Sequence, residues 1–396
     1  MATLGIRTLA GVLGLALALA LGPAKAAEPD PAQGTRDTMR EIFAAFATLV
    51  GKAGDGDGFE DPAERMEILG ALRTLESRLA GLEGREGLTP AHRAVGRTLS
   101  DDVASAIDEV VTGRYAGARF LIGQMAESCF ACHTQQPTDH AFDLGASLLE
   151  SPAIAEAPLP QRALVAVAAR QFERSLTLHE KLFRDPAFSA MEIALSGALE
   201  RYLKVSIRVR DDPARTIAGL DTFRSRSDLP RYLAGEIGVW IETLERDASV
   251  QGETGLASAR EWIRRGRSRT AYPGDQQGLV HFVLASRDLH RHLQSEPSDR
   301  IELAETFYWL GLCEIHIGLS FWGSEAEDFF EKAIRTAPEA DTAPEAYAAL
   351  EALYITGFTG SSGTHLPLEI ERRLESLRTM IDEARATGRT QDGGRT

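Results

Sequence analysis

Between Gln33 and His133 the apolar residues recur at intervals of three and four, in four runs broken by short polar, glycine- or proline-containing segments. A period of 3.6 puts such residues along one stripe of a helix, and a strand cannot present them on one face. Met39, Ile42, Phe43, Phe46, Leu49 and Val50 form the first stripe, within 33–50. Asp61 then caps a second helix, with Pro62 at its first position and Glu64 in its first turn. Met66, Leu69, Leu72, Leu75, Leu79 and Leu82 make its apolar face, and Gly81 and Gly84 mark its end. Thr89 and Pro90 open a third helix with Val95, Leu99, Val103, Ile107 and Val110 inward. After Gly113 a fourth runs from about Arg114 to His133. Four helices of similar length with short connections predict an up-and-down bundle over 27–138. Composition agrees: aromatic residues are only 7% of the chain, and the segments between breakers are rich in Ala, Leu, Glu and Arg.

Beyond Thr138 the pattern stays helical but the breakers change spacing. They fall at Pro158–Pro160, Asp185-Pro186, Asp212-Pro213, Pro230, Gly252–Gly255, Pro273-Gly274, Pro297, Pro338 and Pro344. Helix–turn–helix units of this size cannot bury both faces alone and must stack, which predicts an α-solenoid over 139–385. Gly311 follows Leu310 in one helix. Ala326, Phe330, Ala333 and Pro338 in the next have the A-x3-F-x2-A-x4-P spacing that resembles a tetratricopeptide repeat, with about three extra residues at the join. The expectation is an all-α chain, with 386–396 as an unstructured tail.

Residues 1–26 read as an export signal. Arg7 supplies the positive start, Leu9–Leu21 is an uncharged apolar run too short to span a bilayer comfortably, and Ala24-Lys25-Ala26 offers a cleavage site. No later stretch is long and apolar enough to cross a membrane, so the mature chain is expected in the periplasm without a transmembrane segment. A net charge of -15 works against phosphate-backbone attraction, and no nucleic-acid partner is expected.

Cys129-Phe130-Ala131-Cys132-His133 is a C-x-x-C-H motif. It is the attachment signal of a c-type haem: two thiols on one helical turn reach two vinyl groups of one porphyrin, and the adjacent imidazole reaches the iron. Export suits that chemistry, because covalent haem is normally attached outside the cytoplasm. A second C-x-x-C, which a four-ligand zinc site needs, is missing from a sequence with three cysteines. No βαβ pattern surrounds the motif, which disfavours a thioredoxin-like dithiol. A structural disulfide between Cys129 and Cys132 is the plainer alternative, and it leaves His133 without a role.

A four-helix bundle with C-x-x-C-H at the end of its fourth helix resembles the class II cytochromes c, the cytochrome c′ family. The resemblance covers about residues 30–138, and includes Arg36-Asp37-Thr38-Met39-Arg40 at the start of the first helix. It implies one covalent haem c, with Cys129 and Cys132 as thioether attachments and His133 as the fifth iron ligand. The family's distal position, aliphatic in members with an open sixth site and Met in six-coordinate electron carriers, matches Met39. A Met on such a stripe also reads as packing. The function implied is one-electron transfer, with the helical repeats docking a redox protein partner. The resemblance also allows a homodimer. Two other readings stay open: a haem sensor or trap for NO, CO or O2 with a vacant sixth site, and a scaffold whose haem is structural. No enzymatic role is implied.

Met66 and Met125 are weaker ligand candidates, and Met125 is expected to pack against the ring. Phe43, Phe46, Phe120 and Phe130 are expected pocket walls; Arg36, Arg40 and Arg119 are candidate partners of haem propionates, and each individually reads first as part of a solvated helix face. His92 reads as solvent-facing, as do His281, His290 and His292. Cys313 and His316 lie three apart but lack a third ligand. The basic run 260–269 reads as a solvated face. Asp55-Gly56-Asp57-Gly58 lacks the remaining ligands of a calcium loop, and the Gly/Ser-rich 356–365 lacks a phosphate-loop lysine.

Overall fold

A computed structural model describes residues 31–53, 58–82, 88, 90–135, 143–247, 255–271, 274–318, 325–361 and 363–392. The export signal, Asp55–Asp57 and the last four residues lie outside them. The described chain is all-α apart from one two-stranded hairpin.

The first four helices are α1 (Pro31–Ala53), α2 (Pro62–Ala80), α3 (Pro90–Val111) and α4 (Tyr115–His133). Each packs on the next, and α4 returns to α1. Asp61 caps α2 by accepting from the Ala63 amide at 2.8 Å, with Pro62 beginning the helix. Ile42, Leu49, Ile68, Leu72, Val103, Ile122 and Met125 are buried together at their centre. One expected core residue is wrong: Met66 is 63% exposed, and Ile68 and Ala71 take the inward places on α2. The inward stripe is offset from Met66 by two positions, about half a turn of helix.

Short helices follow: α5 (Asp143–Glu150), α6 (Pro152–Ala155), α7 (Leu159–Ala168), α8 (Phe172–Arg184), α9 (Ala190–Leu195) and α10 (Ala198–Leu203). The chain leaves α10 through a wider π-helical turn at Lys204–Val209, where the Arg210 amide donates to the carbonyl of Val205 at 3.0 Å. Then come α11 (Pro213–Arg224), α12 (Arg231–Asp247), α13 (Leu256–Arg269), α14 (Leu279–Gln294), α15 (Arg300–Ile317), α16 (Glu325–Thr336) and α17 (Thr342–Gly357). A hairpin of β1 (Thr359–Gly360) and β2 (Gly363–Thr364) leads into α18 (Leu368–Asp392). Consecutive helices are neighbours from α13 to α18. Gly311 on α15 lies so close to α16 that a Cβ there would stand 2.6 Å from the Phe330 ring. Phe330 with Ala326 and Ala333 is fully buried, so the small-residue spacing seen in the sequence is a helix-to-helix contact.

Two further expectations fail. α18 continues past Arg385 to Asp392, into the stretch expected to be unstructured. His281 and His290 are buried on α14 rather than solvated, and His292 pairs with Glu302 at 3.2 Å. The reason is that α14 has neighbours on several sides, namely α12, α13, α15 and the π-turn, so most of its faces are interior. The two halves also meet: α4 packs on α7, α3 packs on α16, and Phe130 belongs to the larger, C-terminal core.

Candidate functional site

Cys129, Cys132 and His133 fall at i, i+3 and i+4 on α4, so one helical face carries all three. That face lines a cavity of about 390 Å³, within the range of cofactor pockets. α1 supplies Met39, Phe43 and Phe46 to the same cavity, and α3 supplies His92, Arg93 and Val95. Arg36 lies at the start of α1, one turn before Met39, and also lines it. Leu79 of α2 also lines it, and a further part of the wall comes from beyond the first four helices: Ala168 ends α7 and Arg170 follows it. Arg170 has φ 55°, a left-handed conformation that an L-residue with a Cβ adopts at a cost of about 1–2 kcal/mol. Strain of this kind persists only where surrounding contacts impose it.

The cavity sets the protonation of its groups. Burial pushes the Cys129 thiol up to about 12, and the neighbouring Cys132 adds to the effect. Burial raises Cys132 to about 12 as well, assisted by the charge of Glu325. Both are neutral thiols at neutral pH, and no disulfide joins them. Burial holds the His133 imidazole down at about 4, with the Arg170 cation acting in the same direction against a small opposing effect of the Val167 and Ala168 carbonyls. His92 is lowered to about 4 by burial, then by Arg170 and Arg93. Both imidazoles are therefore neutral, the form that has a lone pair for a metal. The His133 Nδ1 is buried and has no hydrogen-bond partner among the described residues. A buried ring nitrogen left unsatisfied calls for a partner outside the protein's own polar groups.

Of the residues singled out in the sequence, Cys129, Cys132, His133, Met39, Phe43, Phe46 and Arg36 converge here. Others do not. Phe120 is 58% exposed, and Phe120 and Phe130 line a different cleft on the other side of α4. Arg40 points to solvent and pairs with Asp37 at 2.8 Å. Arg119 lies over the Phe59 ring, 5.1 Å from its centroid. Met125 is buried among α1–α4 core residues and not in the cavity wall. His92 corrects the sequence reading in the opposite sense, because α3 turns it into the cavity instead of toward solvent. Arg93, Ala168 and Arg170 went unnoticed. His92 and Arg93 follow the helix-opening Pro90 and carried a weak local signal, whereas no local pattern shows that residues 168–170 fold back on α4. His316 stacks on Phe282 with ring centroids 4.0 Å apart, and Cys313 is buried.

No family model matches the chain, no curated protein matches it in sequence, and no solved structure matches it significantly. Among the described residues no helix is long and apolar enough to cross a membrane, and no three His, Cys, Asp or Glu side chains converge as a metal site.

Proposed function

We propose that the chain is an exported c-type cytochrome, a cytochrome c′-like bundle followed by an α-solenoid, that transfers single electrons in the periplasm. The observation that carries this reading is the convergence of Cys129, Cys132, His133 and Met39 on one cavity with apolar walls. The donor set fits a haem c: two neutral thiols three residues apart, a neutral imidazole with an unsatisfied nitrogen, and a thioether on a different helix. Cys129 and Cys132 would hold the porphyrin as thioethers, His133 would hold the iron, and Arg36, Arg93 and Arg170 are the cations lining the cavity that its carboxylates would meet. Bound there, the group supplies a one-electron couple between ferric and ferrous iron.

This chain's own part is to exclude water, hold charge and choose the ligand. Phe43 and Phe46 shield the cavity, and the apolar wall and the cationic side chains around it would both favour the less positive, reduced state of a bound redox group. Met39 as a soft thioether ligand also favours the reduced iron. The helices after α4 close one wall of the cavity, and we assign the exposed surface of that solenoid to docking a redox partner.

A second reading rests on His92. It lines the same cavity, close enough to His133 that protonating either ring disfavours protonating the other. His92 would compete with Met39 to hold the iron, and a bis-imidazole iron would have a lower potential than a His–Met one.

The test is expression of the full chain with haem-maturation machinery. The mature polypeptide should gain the mass of one haem and resist extraction of it by acid acetone. Its reduced spectrum should carry the sharp α-band of a thioether-linked haem. A product with only the polypeptide mass and no Soret band overturns the proposal. Recovery from the periplasmic fraction checks the export.

A further inference from the structure

The other side of α4 borders a second and larger space, a cleft of about 830 Å³ between α3 and α4 on one wall and α10, the π-turn, α15 and α16 on the other. Its walls combine apolar side chains, among them Phe120, Leu121, Phe130, Leu195 and Ile317, with six carboxylates. These acids are Asp102, Glu127, Glu200, Glu314, Glu325 and Asp328, whereas among the described residues the lining has only Arg201 and Lys204 as cations.

Both cations are already engaged. Arg201 pairs with Glu127 at 2.8 Å. Lys204 is held by Glu314 at 2.9 Å and Glu325 at 3.2 Å. Glu314 is also bound by the guanidinium of Arg208 beneath the cleft floor. Asp328 accepts from the Thr98 hydroxyl and lies in the field of Arg373, Lys332 and Arg97. Glu200 feels the already paired Arg201 and Lys204, and Asp102 is left without a cation in the lining. The Oε2 atoms of Glu200 and Glu325 are fully buried and have no hydrogen-bond donor among the described residues. Burial raises Glu200 to about 7 and, with the charges of Asp101 and Asp328, raises Asp102 to about 6. A carboxylate short of counter-charge in a partly apolar wall reduces stability, and its retention beside a cleft is the pattern of a site kept for a positive ligand.

The form of that ligand follows from the distribution of charge. No three carboxylates come together as a compact metal site among the described residues. Asp102 is on α3 and Glu200 on α10, in opposite walls of the cleft, and Phe120, Phe130 and Leu195 belong to the same lining. A cation satisfying both must be extended, with separated positive groups joined by an apolar stem. We propose that this cleft binds an organic polycation of the linear alkyl polyamine class, with its ammonium groups on Asp102 and Glu200 and its methylenes against Phe120, Phe130 and Leu195. The proposal uses none of the cavity residues on the opposite face of α4 and stands apart from the haem reading.

Spermidine is the probe, titrated calorimetrically into the full chain at low and at physiological ionic strength. One saturable site per chain is expected. Glu200→Gln and Asp102→Asn remove charge at almost unchanged shape, and each should weaken binding about tenfold to a hundredfold, the range of one charge-assisted hydrogen bond. Glu76→Gln, on the exposed face of α2, should leave the affinity unchanged. Glu200→Gln should also raise the midpoint of thermal unfolding at pH 8, which shows that the variant folds and that the carboxylate is uncompensated without ligand. Absence of a saturable heat, equal binding by both cleft variants, or equally tight competition by magnesium alone would each overturn the assignment.

Discussion

Glu314 is the carboxylate on which the interior of the C-terminal half depends, and Glu314→Gln tests how far. The side chain is 3% exposed on α15 and accepts from Lys204 and Arg208, both on the π-turn. Arg208 itself is 1% exposed and donates from Nε to Ser286 on α14 at 2.8 Å. Two unit charges about 4 Å apart attract by about 4 kcal/mol at an effective dielectric of 20. Two such pairs exceed the residual cost of desolvating the ions only while both cations keep their counter-charge. The glutamine leaves Arg208 with a hydroxyl and Lys204 with Glu325 alone. Breaking a buried pair from one side costs about 3–5 kcal/mol, and that is the loss expected here. Urea unfolding followed by tryptophan fluorescence measures it, because all four tryptophans lie after residue 239 and Trp240 and Trp262 sit in the same core as the π-turn. Replacing both partners, as Arg208→Met with Glu314→Leu, keeps the Lys204–Glu325 pair and should recover most of the loss. A Glu314→Gln loss under about 1 kcal/mol would refute the reasoning, since it would mean that water already screens these charges.

Acid should loosen the protein at His179, which burial, then Arg201, holds down at about 4 against an ordinary 6.5. The unfolded chain takes up a proton that the folded chain refuses, so this stability is present above pH 6.5 and is lost as pH falls toward 4. Between pH 7 and pH 5 the loss is about 2 kcal/mol, and it should disappear from the pH profile of His179→Gln. Gly311→Ala should cost about 1–3 kcal/mol in the same urea assay, because the new methyl meets a Phe330 ring that is packed on all sides. In haem-loaded protein, Met39→Ala should turn a low-spin ferrous centre that excludes carbon monoxide into one that binds it, while His92→Ala leaves it closed. The reverse result would move the second ligand to His92.

The helical runs from 33 to 133 are readable because helix formation and burial of one stripe are local: side chains three and four apart meet whatever lies beyond. The same locality makes C-x-x-C-H legible, since Cys129, Cys132 and His133 share a face by helical geometry alone. Capping at Asp61 and Pro62 is equally local and needs only the backbone of one turn. Met66 shows where local reading ends, for which side of a stripe faces inward depends on the neighbouring helix.

What tertiary structure decided is everything that joins distant parts of the chain. The fold turns His92 inward, sends Phe120 and Phe130 to the opposite side of α4, and brings Arg170 to the motif in a strained conformation. It also buries His281 and His290, because α14 has neighbours on several sides and polarity alone does not reveal that. The physical reason is that hydrogen bonds of a helix close within four residues, whereas a cavity needs surfaces contributed by segments more than a hundred residues apart. Periodicity determined the helices and the motif's shared face; packing determined what that face looks upon.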